Sequence, residues 1–592
     1  MKKNWNLFLL LTLIPFLSIA HACSNGNDEE QGNGGGVDGS GDALEVKASK
    51  NSLTLLQTNE ADEAVSFTWN VGTKTDRAVD YFFELDIANN NFVTSTPIEQ
   101  IADGIFTKTF TVKELNKLVI DYWKKQVDSS VQLEARITAK VASGSYVKPE
   151  TSTVKINVQW YNPEYTSNPY KAPLYWSPYE YNYVNNSYIP EDEWKRNIDW
   201  VADNLAKYGY TMVSTDGWMD EDAGYNESGY LTRHSIKWQH DYKYWADYLK
   251  TKGMTLGVYS NPLWIPESAA KAGIKIKGTN IPLSNIMNLD EFSKVPNKYR
   301  WVQIDRDGAE EWVKGYIQHY AGMGVKYLRV DFLSFFENGY DRGFGQIGVK
   351  RPHWIYETAL RWMREECDKQ GVFLSLVMPH LHDDAATEVK YGHMVRIGED
   401  TGDGGWYKWS DNNRGIHQDG WSQYSNPFDG FIYFSRVSGR NKMILDGDFI
   451  RLNTFSSTEE KQSVIASNLM AGGPVTVSDQ YGSIGDNLKF YQNEELLALN
   501  KDGFVGKPVS NDPADPKSSI WMGQMSNGDW VIALFNRENA DLTYDINFSD
   551  YNIIGTFKIR DLWEKADVGT DNKYRVTLSP RACKVIRLTK VS

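Results

Sequence analysis

From residue 44 to residue 160, apolar and polar residues alternate in short runs, LEVKASKNSLTLL, AVSFTWNV, YFFELDIA, VQLEARITAKV and STVKINVQW, separated by turn-forming clusters. A period of two with frequent turns predicts strands that bury one face, so this segment reads as a β-sandwich. From residue 165 to residue 490 the pattern changes. In AKYG-YTMVSTD, KTKG-MTLGVYSN, AGMG-VKYLRVDF and DKQG-VFLSLVM, a helical stretch ends in a glycine and an apolar strand follows at once. The glycines, Gly209, Gly253, Gly324 and Gly371, suit the left-handed position just past a helix end. The helix before Gly209 carries the stripe Trp194, Ile198, Val201, Leu205 and Tyr208, with Pro190 near its start. Repeated helix and buried-strand units imply a parallel sheet covered on both faces. With LYWSPYEY, HMVRIGED, NKMILDGD and PVTVSD the strand count reaches eight, which predicts a closed barrel. From residue 491 to residue 592 alternation returns in SIWMGQM, DWVIALFN, TYDINF, TFKIRDLW, YRVTLS and CKVIRLTKV. The expected chain is therefore multidomain: an N-terminal β-sandwich, a central (β/α)8 TIM barrel and a C-terminal antiparallel β-sandwich.

The first 22 residues stand apart from this pattern. Lys2 and Lys3 precede an apolar run from Leu7 to Ile19, which ends in Ala20-His21-Ala22-Cys23. About 13 apolar residues fall short of the roughly 18 to 20 that cross a bilayer, so a cleaved secretory signal is predicted. The small residues before Cys23 resemble a bacterial lipobox, which implies lipidation of Cys23 and an outer-membrane lipid anchor. Residues 23 to 43 are Gly, Asn, Ser and acids with nothing to bury, a predicted flexible linker. Its cluster Asp28-Glu29-Glu30 resembles the surface-export signal of Bacteroidetes lipoproteins, implying the outer face of the outer membrane. Cys367 and Cys583 lie in patterns without a pairing framework and are expected as free buried thiols.

Composition narrows the partners. A net charge of −14 argues against nucleic acid, because phosphate binding needs clustered Lys and Arg. Aromatic residues make up 13% of the chain, with 21 Trp, and flat rings that stack on sugar CH faces suit a carbohydrate handler.

Active sites of such barrels gather at the C-terminal ends of the strands. Reading the polar residue that ends each predicted strand gives Tyr179 and Glu180, Asp216, Tyr259 and Asn261, Asp331, His380, Arg396 with Asp400, Asp446 with Asp448, and Asp479. Carboxylates dominate that rim. An acid ending a buried strand such as YLRVDF needs water, a cation or a function.

Across residues 171 to 592 the chain also resembles glycoside hydrolase family 27, the α-galactosidase and α-N-acetylgalactosaminidase family. The resemblance runs in order through YTMVSTDGW, KTKGMTLGVYSN, VKYLRVDF, MVRIGED, LLALNKDGFVGKPV, WVIALFNR and KIRDLWEK. It implies a retaining glycosidase with Asp331 as nucleophile and Asp400 as acid/base, needing no cofactor. Sugar contacts are expected from Asp216, Trp218, Arg329, Arg396, Tyr179, Trp176, His380 and Asp448. Retention needs two carboxyl groups on opposite sides of the anomeric carbon, and strands four and six can supply them in one layer. FTWNVG and FFELDIANNNF of the first sandwich resemble the N-terminal domain of SusE-type surface glycan-binding lipoproteins, which implies other glycan-uptake proteins as partners.

The departures bear on the substrate. Where the family carries two adjacent Asp that grip galactose O4 and O6, this chain has Thr215-Asp216; a family Lys is Arg329, and Cys-Glu-Trp is Val377-Met378-Pro379. Hydrogen-bonding sites discriminate by orders of magnitude, so plain α-galactose is expected to be a poor fit. A sulfated or uronic sugar held by Arg329 and His380, or a different hexose, is expected instead. His380-Leu381-His382 also has zinc-like spacing, but without a third and fourth ligand the expectation is a sugar-lining loop and no metal. Asp400-Thr-Gly-Asp403 has calcium-loop composition without the full ligand series. A glycan-binding protein on a degenerate barrel is the alternative class, disfavoured because both Asp331 and Asp400 are present.

Overall fold

The computed structural model describes residues 42–591 apart from 74–77, 124–129, 142–147, 162, 164–166, 220–222, 293–297, 344 and 403. The expected signal, most of the linker, Cys23 and Asp403 lie outside the described residues. The chain forms two compact units, one ending at Tyr161 and the other continuing to the C-terminal residues.

In the first unit Val46–Ala48, Glu63–Trp69 and Thr107–Thr111 form one sheet. Ser52–Thr54, Glu150–Gln159, Ser130–Val141, Val79–Ile87 and Glu99–Ile101 form the other, in that order. The period of two is plain in Ser130–Val141, where Val131, Leu133, Ala135, Ile137 and Ala139 are buried and their neighbours more open. These side chains meet Phe67, Leu85, Ile156 and Val158 in one core.

The second unit holds eight parallel strands: β1 (Leu174–Trp176), β2 (Met212–Ser214), β3 (Thr255–Tyr259), β4 (Val325–Val330), β5 (Phe373–Leu376), β6 (Met394–Arg396), β7 (Ile444–Asp446) and β8 (Val475–Val477). They pair in chain order, β8 returns to β1, and a parallel bridge between Ile450 and Val477 joins the remaining edges of this TIM-like barrel. Helices alternate with the strands: α1 (Glu191–Asn204), α2 (Tyr242–Thr251), α3 (Ala309–Gly322), α4 (His353–Gln370), α5 (His382–Tyr391), α6 (Pro427–Phe434), α7 (Thr458–Met470) and α8 (Glu494–Asp502). Asp241, Asn426, Ser457 and Asn493 accept first-turn N–H groups at the starts of α2, α6, α7 and α8. Gly209, Gly253, Gly324 and Gly371 all have positive φ, and Trp194, Ile198, Val201 and Leu205 are fully buried.

Strand alternation builds the barrel interior. Val213, Leu256, Leu328, Leu374, Val395 and Leu445 point outward into the helix layer. Tyr175, Met212, Tyr327, Phe373, Met394 and Ile444 form a separate inner cluster. Two residues beyond Tyr327, Met394 and Ile444 come Arg329, Arg396 and Asp446, so an apolar plug below becomes a charged floor above.

The C-terminal sandwich has a six-stranded sheet between Lys507 and Lys590, with Leu542–Asn547 and Lys573–Leu578 as a separate pair. Beyond residue 490 the chain continues as helix before the sandwich strands begin. α8 buries Leu496, Leu497 and Leu499 and packs on α7, so it closes the barrel; nine residues are too few for periodicity to reveal. Arg537, 2.7 Å from Asp429, and Phe535, with its ring 5.1 Å from Phe428, tie the sandwich to α6.

Candidate active site

The ends of β2, β4, β6 and β7 carry an alternating chain of charges. Arg329 donates through Nη1 to Asp446 Oδ2 at 3.0 Å, while its Nε lies 3.7 Å from Asp216 Oδ2 and its Nη2 3.9 Å from Asp448 Oδ1. Its guanidinium rests 4.8 Å from the Phe449 ring. Arg396 places Nη1 2.7 Å from Asp448 Oδ1 and donates through Nη2 to Asp400 Oδ1 at 3.0 Å. Both arginines are buried, but the Asp400 side chain is 71% exposed, so it is the member of the chain a ligand can reach.

Asp331 follows β4 directly. The Tyr259 hydroxyl donates to its Oδ2 at 3.0 Å, the Phe332 N–H to its Oδ1 at 2.6 Å, and Asn261 Nδ2 to its backbone carbonyl at 2.8 Å. Phe332 takes a φ of 62°, a costly conformation for an aromatic residue, which turns its N–H back onto the carboxylate. The carboxylate is thus fixed from β3 and from its own backbone. Gly217 passes over Tyr259 so closely that a Cβ there would lie 2.9 Å from Cζ and 3.1 Å from the hydroxyl. Gly217→Ala is expected to displace that hydroxyl and lower kcat about tenfold to a hundredfold with less change in KM, as steady-state kinetics would show.

Burial pushes three acids upward. Asp216 rises from 3.8 to about 7, chiefly through desolvation; Arg329 and the Gly217 N–H oppose it, while Asp331 and Asp448 add to it. Asp331 is raised by burial against the pull of Arg329, with Asp400 pushing the same way. Asp448 is also raised, again by burial first, despite Arg396. A raised carboxyl stabilises the fold below its unfolded value, and that contribution is lost as pH climbs to the folded value. For Asp216 the window runs from 3.8 to about 7. Asp216→Asn is therefore expected to raise the melting temperature at pH 8 relative to its effect at pH 4, while impairing activity; thermal melts of both proteins at the two pH values check this.

The structure brings Asp216, Arg329, Asp331, Arg396, Asp400, Asp448 and Tyr179 to one end of the barrel; Tyr179 is packed 4.4 Å from Phe449 and feels Asp400 and Asp448. Trp218 lies half-buried two residues after Asp216. Trp176 lies apart from them: Tyr175 is the inward residue of β1, so Trp176 faces the helices, 5.9 Å from Trp194, and donates to the Asp479 carbonyl at 2.9 Å. His380 is turned inward. It is 1% exposed, its Nδ1 accepts from the Trp421 N–H at 2.9 Å, and its Nε2 meets Asn338 Oδ1 at 3.0 Å. Neither nitrogen is left for sugar or metal, and burial lowers its pKa to about 4, so it offers no cation to an anionic sugar. Thr215 is fully buried and accepts the Tyr259 N–H at 3.0 Å, outside the pocket. Tyr259, Asp446 and Phe449 were absent from the expected contacts. The first two ended predicted strands and were legible there; Phe449 carried no signal.

Comparison with known proteins adds to this geometry. Residues 515–588 match the alpha galactosidase C-terminal beta sandwich domain, and residues 36–138 match the SusE outer membrane protein family. The chain is similar to an isomalto-dextranase of Arthrobacter globiformis, 39% identical over 432 residues, or 71% of this chain and 67% of that protein. It is similar to alpha-galactosidase 3 of Arabidopsis thaliana at 23% over 399 residues, 66% of this chain and 75% of the other. Among solved structures, the Arthrobacter globiformis isomalto-dextranase complexed with panose superposes with a TM-score of 0.70 at 37% identity, covering 73% of this chain and 76% of that one. A GH27 β-L-arabinopyranosidase from Geobacillus stearothermophilus gives 0.58 at 19% identity, covering 71% and 97%, and so shares the fold.

Proposed function

Given that the chain belongs to the family 27 glycoside hydrolases, with a SusE-like domain ahead of the catalytic one, we propose that it is a retaining, exo-acting α-glycosidase that prefers a glucose-configured sugar. A glycoside hydrolase acting on a carbohydrate is the common ground of its relatives; mechanism, sugar and location are the proposal. The observation that carries the mechanism is Asp331, gripped by Tyr259 and Phe332, in the field of the exposed Asp400 on Arg396.

In the proposed first step an Asp331 oxygen attacks the anomeric carbon, the glycosidic C–O bond breaks, and the leaving oxygen takes the Asp400 proton. Water then gives a proton to Asp400 and attacks the same carbon, freeing Asp331. Two displacements return the α anomer.

Two observations favour glucose over galactose or an anionic sugar. Thr215 spends its hydroxyl on the β3 backbone, so Asp216 alone remains of the expected acid pair. Five acids, Asp216, Asp331, Asp400, Asp446 and Asp448, surround two guanidinium groups, Arg329 and Arg396, which leaves no spare positive charge for a sulfate or uronate. The isomalto-dextranase relative and its panose complex point the same way. The expected result is that panose is hydrolysed, its first product appearing in proton NMR as the α anomer. An aryl α-galactoside should show a kcat/KM at least about a hundredfold lower. Comparable rates on the galactoside would overturn the sugar assignment, and an initial β anomer the mechanism. The SusE-like region and the Cys23 sequence support a lipid-anchored place on the outer-membrane surface.

A further inference from the structure

We propose that a cavity of about 450 Å³ between the β2–α2 and β3–α3 connections is a second glycan-binding site, taking the part of an α-glucan chain that extends beyond the catalytic pocket. The choice of α-glucan rests on the function proposed above. The volume falls within the range of sites that hold small molecules. Both connections leave the strand ends that carry Asp216 and Tyr259, so the groove opens from the catalytic end of the barrel.

The two sites share a wall. Tyr299 lines the groove and its ring lies 5.8 Å from Trp264; Trp264 lies 6.2 Å from Tyr259, whose hydroxyl holds Asp331. At the lip, Tyr225 is 37% and Ile236 60% exposed. Single exposed apolar residues are ordinary, but these two line one concave surface.

The backbone that carries Tyr225 is also held in place without a ligand. It bridges to Leu231, and the intervening turn is closed by Asn226 Oδ1, which accepts the N–H groups of Ser228 at 2.9 Å and Tyr230 at 3.1 Å. A preset turn spares the backbone-ordering cost that a mobile one would add on binding. Opposite it, Glu267 pairs with Lys271 at 2.9 Å and Arg300 at 3.5 Å, and Lys298 also lines the groove, so its polar side offers one carboxylate acceptor and ammonium donors for hydroxyl groups. Aromatic and aliphatic side chains beside hydrogen-bonding donors and an acceptor suit a sugar ring, which is apolar on its faces and polar at its edges.

The test uses the full-length protein, with dextran as polymer and panose as short substrate. In gels containing soluble dextran, the parent should be retarded and Tyr225→Ala and Ile236→Glu, both at exposed positions, should run free or nearly so. The same variants should raise KM for dextran roughly tenfold and leave panose kinetics unchanged. Retardation equal in parent and variants, or none in the parent, overturns the second site, whatever the panose result. Failure to cleave panose, with dextran retardation lost in the variants, would overturn the catalytic reading and leave the groove standing.

Discussion

Asp331→Asn is expected to lower kcat on panose by about four orders of magnitude, the loss typical when a covalent catalyst's central group is removed. The side chains are nearly equal in volume. Asn keeps one acceptor oxygen for the Phe332 N–H at 2.6 Å, and its NH2, in place of the oxygen 3.0 Å from Tyr259, can donate to that hydroxyl, so the position stays held from both sides. What disappears is the negative charge that attacks the anomeric carbon. Asp331 is raised by burial, so replacing it with a neutral group also removes a desolvation cost, and the variant should melt no lower than the parent at pH 7. An inactive protein with an unchanged or raised melting temperature is thus the expected pair of results. Retention of more than about a tenth of the parent rate would exclude Asp331 as nucleophile.

Arg329 shows how this site supports so many acids. Each acid ending a strand is costly alone, and each arginine serves several: Arg329 meets Asp446, Asp216 and Asp448, and Arg396 meets Asp448 and Asp400. Four strands contribute, so no local rule of helix or strand formation demands the arrangement. Asp448 at a φ of 85° and Phe332 at 62° add backbone strain in the same place. Such strain at a strand end is what a fold tolerates where chemistry requires it.

The barrel was legible because its code is local. A glycine past each helix and an apolar run after it announce one unit, and the polar residue ending the run announces the rim. Facing was harder: Tyr175 and Trp176 are adjacent aromatics, and a shift of one residue exchanges lumen for helix layer. His380 is turned inward by Asn338 and Trp421, which lie 42 and 41 residues away, beyond any spacing argument. Leu381 and the first turn assigned to α5, at Asp383, Asp384 and Ala385, are left-handed, conformations that no glycine announces. Thr215 stands where the resemblance places the first acid of a pair, whereas its hydroxyl accepts from the end of a neighbouring strand.

Asp400→Asn should produce a loss that depends on the leaving group, which separates an acid/base from a merely structural carboxylate. On panose, whose leaving sugar needs a proton, the rate is expected to fall by about two to four orders of magnitude. On an aryl α-glucoside with a good leaving group the first step needs little proton assistance, so its burst of released phenol should persist. The second step, in which Asp400 deprotonates water, remains slow, and covalent intermediate then accumulates on Asp331. Azide, which needs no general base, should restore turnover and yield a glycosyl azide. The exposure of Asp400, 71% against buried Arg396 at 3.0 Å, leaves the carboxyl open to solvent, from which azide can approach in the variant. Equal losses on panose and on the aryl substrate, with no effect of azide, would exclude Asp400 as acid/base and turn attention to Asp448, the other carboxylate that shares Arg396.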